Sequence, residues 1–135
     1  MPARVLPELS FEVTESDALE WSGILDDRNP IHSDPAAGLV HGLGPGIVSP
    51  GPANAGYLMT LLLRAFPGAT LASFEARFVA VVVAPTTVVA AGVVEREEPV
   101  PGGTRLHCAL ELRAHGRVAI DARACVHLPA SRGEA

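Results

Sequence analysis

PANAGYLMTLLLRAF, residues 52–66, is the most hydrophobic helical stretch of the chain, and Pro67-Gly68 closes it. Apolar side chains recur nearly all the way round such a helix, which places it inside the protein rather than on its surface. A helix of that kind needs cover on several sides. The chain beyond it offers strands: LASFEARFVAVVV (71–83), TTVVAAGVVEREE (86–98), TRLHCALELRA (104–114) and RVAIDARACVHL (117–128) alternate and are rich in β-branched residues. Pro85 and the PVPGG passage break the first two joints, and His115-Gly116 supplies a tight hairpin turn between the last pair. The simplest arrangement that buries the helix is a curved antiparallel sheet wrapped around it, an α+β plan. It forms one domain over residues 1–135, with a patternless tail from about 129 expected to be disordered. A sheet of about five strands is thin cover for so apolar a chain, so association through a sheet edge or the helix face is expected.

Upstream of the helix, LSFEV (9–13) alternates as a short strand. Thr14 then opens a helical stretch, with Asp17 three positions on in a capping-box arrangement and Ala18, Trp21, Ile24 and Leu25 on one face. The loop DDRNPIHSDP (26–35) follows, and its end predicts a brief helix with Asp34 as N-cap and Pro35 in the first position. GLVHGLGPGIVSPGP (38–52) then leads into the central helix as a loop held to a specific path by its glycines and prolines.

A chain of 135 residues favours one core. The formal charge is −5, there is no lysine, and the arginines form no basic run, which argues against nucleic acid as a partner. No apolar run has the length of a membrane span, and MPARVLPELSFEV lacks the plan of a signal peptide, so the expectation is a soluble cytoplasmic protein without a membrane partner. Cys108 and Cys125 lie in alternating apolar segments and are read as reduced, buried thiols. With no CxxC pair and no two histidines at ligand spacing, no metal site is expected.

Taken singly, the polar loop has bland explanations. Asp and Asn before a proline form turns, a lone loop histidine is commonly hydrogen-bonded structure, and Asp34 reads as a helix cap. Together, Asp27-Arg28-Asn29-Pro30-Ile31-His32-Ser33-Asp34-Pro35 resembles the D-x-N-P-x-H-x-D signature of MaoC-like, or (R)-specific, enoyl hydratases of the hotdog fold. The glycine-rich loop, the central helix and the later strands follow in the family order, and the resemblance covers roughly residues 9–128.

The resemblance implies reversible hydration of an enoyl thioester to a 3-hydroxyacyl thioester, with the thiol on coenzyme A or on a carrier protein, and with no cofactor. It assigns water activation to Asp27 and His32, and leaves Asn29 to hold the loop between them. It also implies a homodimer whose sheets join edge to edge, with a heterodimer as the variant of that plan. The chemistry suits the pair, because a carboxylate and an imidazole on one water take a proton from it and return one to the carbon beside the carbonyl. The carbonyl becomes enolate-like on the way, and backbone N–H groups at a buried helix N-terminus stabilise that charge. Gly51 N–H is the preferred donor, and Ser49 and Asn54 lie near the helix start as further pocket candidates.

Two departures from the family are visible. Leu25-Asp26 stands where Ser-Gly is usual, and Ser49-Pro50 where His-Gly is usual at the helix start. His41, in HGLGPGIVSPG, loosely resembles the histidine of hotdog dehydratases that act on carrier-protein substrates, but Pro50–Phe66 offers no acidic partner for it. It remains a pocket candidate. Two other classes stay open: a hotdog thioesterase, which the intact motif argues against, and a non-catalytic acyl-binding or heterodimer-partner subunit, which the altered helix start keeps in play. His107, His115 and His127 are read as structural, and Arg28, Arg64 and Arg77 as distant candidates for carrier phosphates.

Overall fold

A computed structural model describes residues 4–40, 42 and 46–130. Strands β1 (Arg4–Val5) and β2 (Leu9–Val13) precede helix α1 (Glu15–Ile24); α2 (Pro35–Val40), β3 (Ile47–Val48) and the long α3 (Gly51–Ala65) follow. The chain ends in β4 (Thr70–Phe78), β5 (Val83–Ala84), β6 (Thr86–Val100), β7 (Gly103–Ala114) and β8 (Arg117–Pro129). The main sheet is antiparallel in the order β1-β6-β7-β8-β4, with β2 also pairing along β6. β3 and β5 form a separate two-stranded ribbon.

Alternation along the long strands sends one side of each toward α3. Val88, Ala90 and Val94 of β6, Leu106, Leu110 and Leu112 of β7, and Ile120, Ala122 and Val126 of β8 are buried with Leu58, Leu61 and Leu62 of α3 in one core. The expected α+β sheet around a central helix is therefore present. One expectation about the helix changes. The sheet covers one side of α3 only, and Leu63 on the other side is 55% exposed.

The apolar run 71–83 is not one strand. β4 stops at Phe78; Val79 and Ala80 both turn their N–H groups to the Ala119 carbonyl (2.8 and 3.1 Å), and the chain re-enters pairing as β5 against β3. The apolar face expected for α1 is also mostly open: Ala18 is buried, whereas Trp21, Ile24 and Leu25 are exposed. At the other end, β8 runs through Pro129 and Ala130 N–H donates to the Gly102 carbonyl; residues 131–135, the rest of the expected tail, lie outside the described residues.

Local signals in the sequence are realised at both ends of the polar loop. Thr14 Oγ1 accepts from Asp17 N–H (3.0 Å) and Asp17 returns a carboxylate oxygen to Thr14 N–H (3.2 Å), closing the capping box. Thr14→Ala is expected to cost about 1 kcal/mol in denaturant unfolding. Asp34 Oδ1 accepts from Ala36 N–H (2.9 Å) as the cap of α2. His115 (φ 55°) and Gly116 (φ 75°) make the β7–β8 turn with two left-handed residues, the conformation a two-residue hairpin of this hand requires. Both cysteines are free and buried, and burial beside Cys125 pushes the Cys108 thiol up to about 11.

Candidate active site

Helix α1 delivers the chain to the motif, and its last turn holds the motif's first residue. Asp27 N–H donates to the Ser22 carbonyl (3.0 Å), and Ser22 Oγ donates to the Asp27 carbonyl (2.5 Å). Asp27 then folds the loop over itself, since its Oδ1 accepts from Asn29 N–H (3.1 Å). Asn29 does the same one step on, capping a single 3₁₀ turn, Pro30–His32, with Oδ1 on Ile31 N–H (3.3 Å). These are Asx turns, and each is written in the residue types. Asp26, by contrast, faces outward at φ 50° and meets Arg28 at 3.4 Å on the open surface.

The 3₁₀ turn carries His32 inward, to 8% exposure. Its Nδ1 lies 2.6 Å from the Val48 carbonyl oxygen and its Nε2 lies 3.2 Å from Asp27 Oδ2. A carbonyl only accepts, so the proton of the first bond sits on Nδ1. Nε2 is left facing the carboxylate. Asp27 is 39% exposed at its side chain, so the pair sits at the edge of the interior, with one partner packed and the other open to an incoming molecule.

Val48 is two positions from the start of the turn into α3. Ser49 and Asn54, both 4% exposed, bond to each other there: Ser49 Oγ donates to Asn54 Oδ1 (2.7 Å) and Asn54 Nδ2 donates to the Ser49 carbonyl (3.3 Å). Helix α3 starts at Gly51 after an N-cap, Pro50, that makes no side-chain cap bond. Asn54 N–H is the first to find a helical acceptor, the Pro50 carbonyl (3.1 Å), and Pro52 has no N–H. Gly51 and Ala53 N–H are thus the two donors at this helix end without a hydrogen bond to any described residue. The Phe78 ring, 54% exposed, lies over Gly51 so closely that a Cβ added there would stand 3.1 Å from it.

Of the residues singled out in the sequence, the structure brings together Asp27, Asn29 and His32, and sets Ser49, Gly51 and Asn54 on the turn that carries His32's carbonyl partner. His41 lies outside the described residues. Arg64 stacks over the Phe11 ring and Arg77 pairs with Asp121, and neither joins the motif's own bonds. Sequence reasoning missed Val48, whose backbone carbonyl leaves no mark in residue type, and Phe78. It missed Ser22 as well, although a hydroxyl in the last turn of α1 five residues before Asp27 was a visible signal. A groove of about 400 Å3 lined by residues such as Leu6, Glu8, Gly92 and Arg113 includes none of Asp27, His32, Ser49, Gly51 and Asn54.

The sequence profile described as "MaoC like domain" matches residues 3–111. The chain belongs to the MaoC-like family. The fold agrees with that membership across nearly the whole MaoC-like chain. The ChsH1–ChsH2 complex from Mycobacterium tuberculosis superposes with a TM-score of 0.80 at 18% identity, covering 93% of this chain and 96% of that one. The R-hydratase PhaJ1 from Pseudomonas aeruginosa gives 0.80 at 17%, covering 96% and 90%. The (R)-hydratase from A. caviae involved in PHA biosynthesis gives 0.81 at 21%, covering 94% and 96%. At these identities the likeness is one of fold, and the fold is the hotdog. No curated protein matches the chain. Among the described residues no helix of this MaoC-like protein is long and apolar enough to cross a membrane.

Proposed function

We propose that the protein hydrates enoyl thioesters and dehydrates 3-hydroxyacyl thioesters, with Asp27 and His32 as the catalytic residues. The observation that carries this reading is the two-sided hold on His32: Nδ1 on a buried carbonyl, Nε2 facing a part-exposed carboxylate. A water held beside both Asp27 and Nε2 loses a proton to the pair as its oxygen bonds to C3 of the enoyl group. The C2–C3 double-bond electrons move toward the thioester carbonyl, whose oxygen takes enolate charge, and C2 then takes the proton back from the pair. Dehydration runs the same steps in reverse. The enolate oxygen falls to the free N–H groups of Gly51 and Ala53 at the start of α3. The substrate is an acyl group on coenzyme A or on a carrier protein.

The working unit in this proposal is a homodimer. Among the described residues no strand pairs with the outer edge of β4, and the exposed Phe78 and Val79 sit at the end of that edge, beside Gly51. An open edge with apolar side chains is a surface that proteins cover. A second reading, a subunit that works only with a different hotdog chain, is favoured by Pro52, which removes a donor at the start of α3, and by the resemblance to a two-component complex.

The test follows loss of conjugated-thioester absorbance with short and medium enoyl chains, on coenzyme A and on a pantetheine mimic, alongside the mass in solution. A dimer that hydrates at least one substrate is the expected result. A well-folded dimer silent on every chain length moves the assignment to the two-component reading.

A further inference from the structure

We propose that Ser49 and Asn54 are positioning residues: their paired side chains lock the β3–α3 turn, and the turn in turn fixes the proton on His32. The inference rests on the hydratase reading above and gives a role to two residues that touch each other rather than an open pocket.

The argument starts with one peptide plane. The Val48 carbonyl and the Ser49 N–H belong to the same rigid unit, with the two groups pointing in opposite directions. On one side Ser49 N–H donates to the Val82 carbonyl (2.8 Å), and on the other the Val48 carbonyl accepts from His32 Nδ1 (2.6 Å). Any rotation of this plane moves the acceptor off the imidazole. The next plane is held by Asn54, whose Nδ2 donates to the Ser49 carbonyl (3.3 Å) while its Oδ1 accepts from Ser49 Oγ (2.7 Å).

Among the described residues nothing else holds that second plane. Pro50 has no N–H to offer, and as N-cap it has no side chain able to tie the turn to the helix. An Asn in the first turn of the helix, reaching back to the residue before the cap, does that work instead. Burial makes the hold firm, because at 4% exposure neither side chain has water to turn to, and releasing either one leaves a buried polar group unpaired. The same turn sets Gly51, and so the first free N–H of α3. One pair of side chains therefore registers both halves of the machinery: the nitrogen that moves the proton and the donor that meets the oxygen.

The experiment uses the full chain with Ser49→Ala, Asn54→Ala, the same-sized Asn54→Asp, and Val126→Ala as a control in the sheet core. It reads kcat, KM, Tm and the His32 Nδ1–H proton resonance in nitrogen-edited spectra. Expected for the three turn variants is a kcat loss of roughly 10- to 100-fold with KM within about twofold, and a shifted or missing His32 resonance. Val126→Ala should lower Tm and leave the resonance in place. Ser49→Thr, which keeps the hydroxyl, should keep the resonance and recover most of kcat. If one alanine variant fails to fold, Asn54→Asp still removes the Nδ2 donor at constant size. A resonance and kcat at wild-type values in the turn variants overturn the proposal. So does a raised KM with kcat intact, which would make these side chains substrate contacts. Should the wild type hydrate no thioester, the hydratase reading falls, and the resonance alone still decides the positioning role.

Discussion

Asp27→Asn is expected to reduce kcat for enoyl thioester hydration by about 10²- to 10⁴-fold while leaving Tm close to wild type. The substitution keeps the size of the side chain and a carbonyl oxygen able to accept from Asn29 N–H, so the first Asx turn survives. What it removes is the carboxylate oxygen 3.2 Å from His32 Nε2, one half of the proposed catalytic pair. KM should change little, since in the proposed mechanism the carboxylate acts in the reaction step and not in holding the acyl chain. His32→Ala should lose activity on the same scale but also stability, because it vacates a buried site and leaves the Val48 carbonyl without its donor. The double variant should be little worse than either single one, as two groups serving one water act as a unit. Steady-state kinetics with thermal melts on the three proteins would test this, and wild-type turnover in Asp27→Asn would remove Asp27 from the mechanism.

Leu58→Ala carries the largest stability effect, a loss of about 2–5 kcal/mol in denaturant unfolding. Leu58 is fully buried, at 0% exposure, on the face of α3 that meets the sheet. Its truncation removes apolar contact and opens a cavity that the long strands around it cannot close without breaking register. Leu63→Ala, on the same helix but 55% exposed, should stay within about 0.5 kcal/mol in the isolated chain. The contrast between them measures which side of α3 the sheet covers. A large loss at Leu63 would mean that a second chain packs on the outer side, and its dependence on protein concentration would identify that contact.

Much of this was readable in the residues. The helix at 52–66, the strands after it, the capping box at Thr14 and the cap at Asp34 are all local signals, and the structure follows them. The closeness of Asp27 and His32 was legible too, because Asx turns at Asp27 and Asn29 fold the five-residue spacing back on itself. What the sequence hid has one cause in common. FVAVVV carries no Gly or Pro to mark the break after Phe78; that break is made by the Ala119 carbonyl and by β3, which are distant in sequence. Residues 47–48 are too short a run to announce a strand. The acceptors of His32 Nδ1 and of Ser49 N–H are backbone carbonyls, which every residue possesses. The apolar stripe of α1 was seen but its burial was not, because a periodic pattern tells which residues share a face and not whether this chain alone covers it.

The turn at His115 links two demands that are usually separate. At φ 55° an asparagine would sit with less strain than an imidazole, so improving the hairpin favours replacing His115. Yet His115 Nε2 accepts the Val83 N–H (3.1 Å), tying the last hairpin to the ribbon whose other strand ends in the His32 acceptor. A designer who tightened this turn by the ordinary rule would cut a tether to the loop that carries Asp27 and His32. Thermal robustness and the alignment of His32 therefore compete at this one surface position, and a gain in melting temperature there is no guide to how well the Asp27–His32 pair is set.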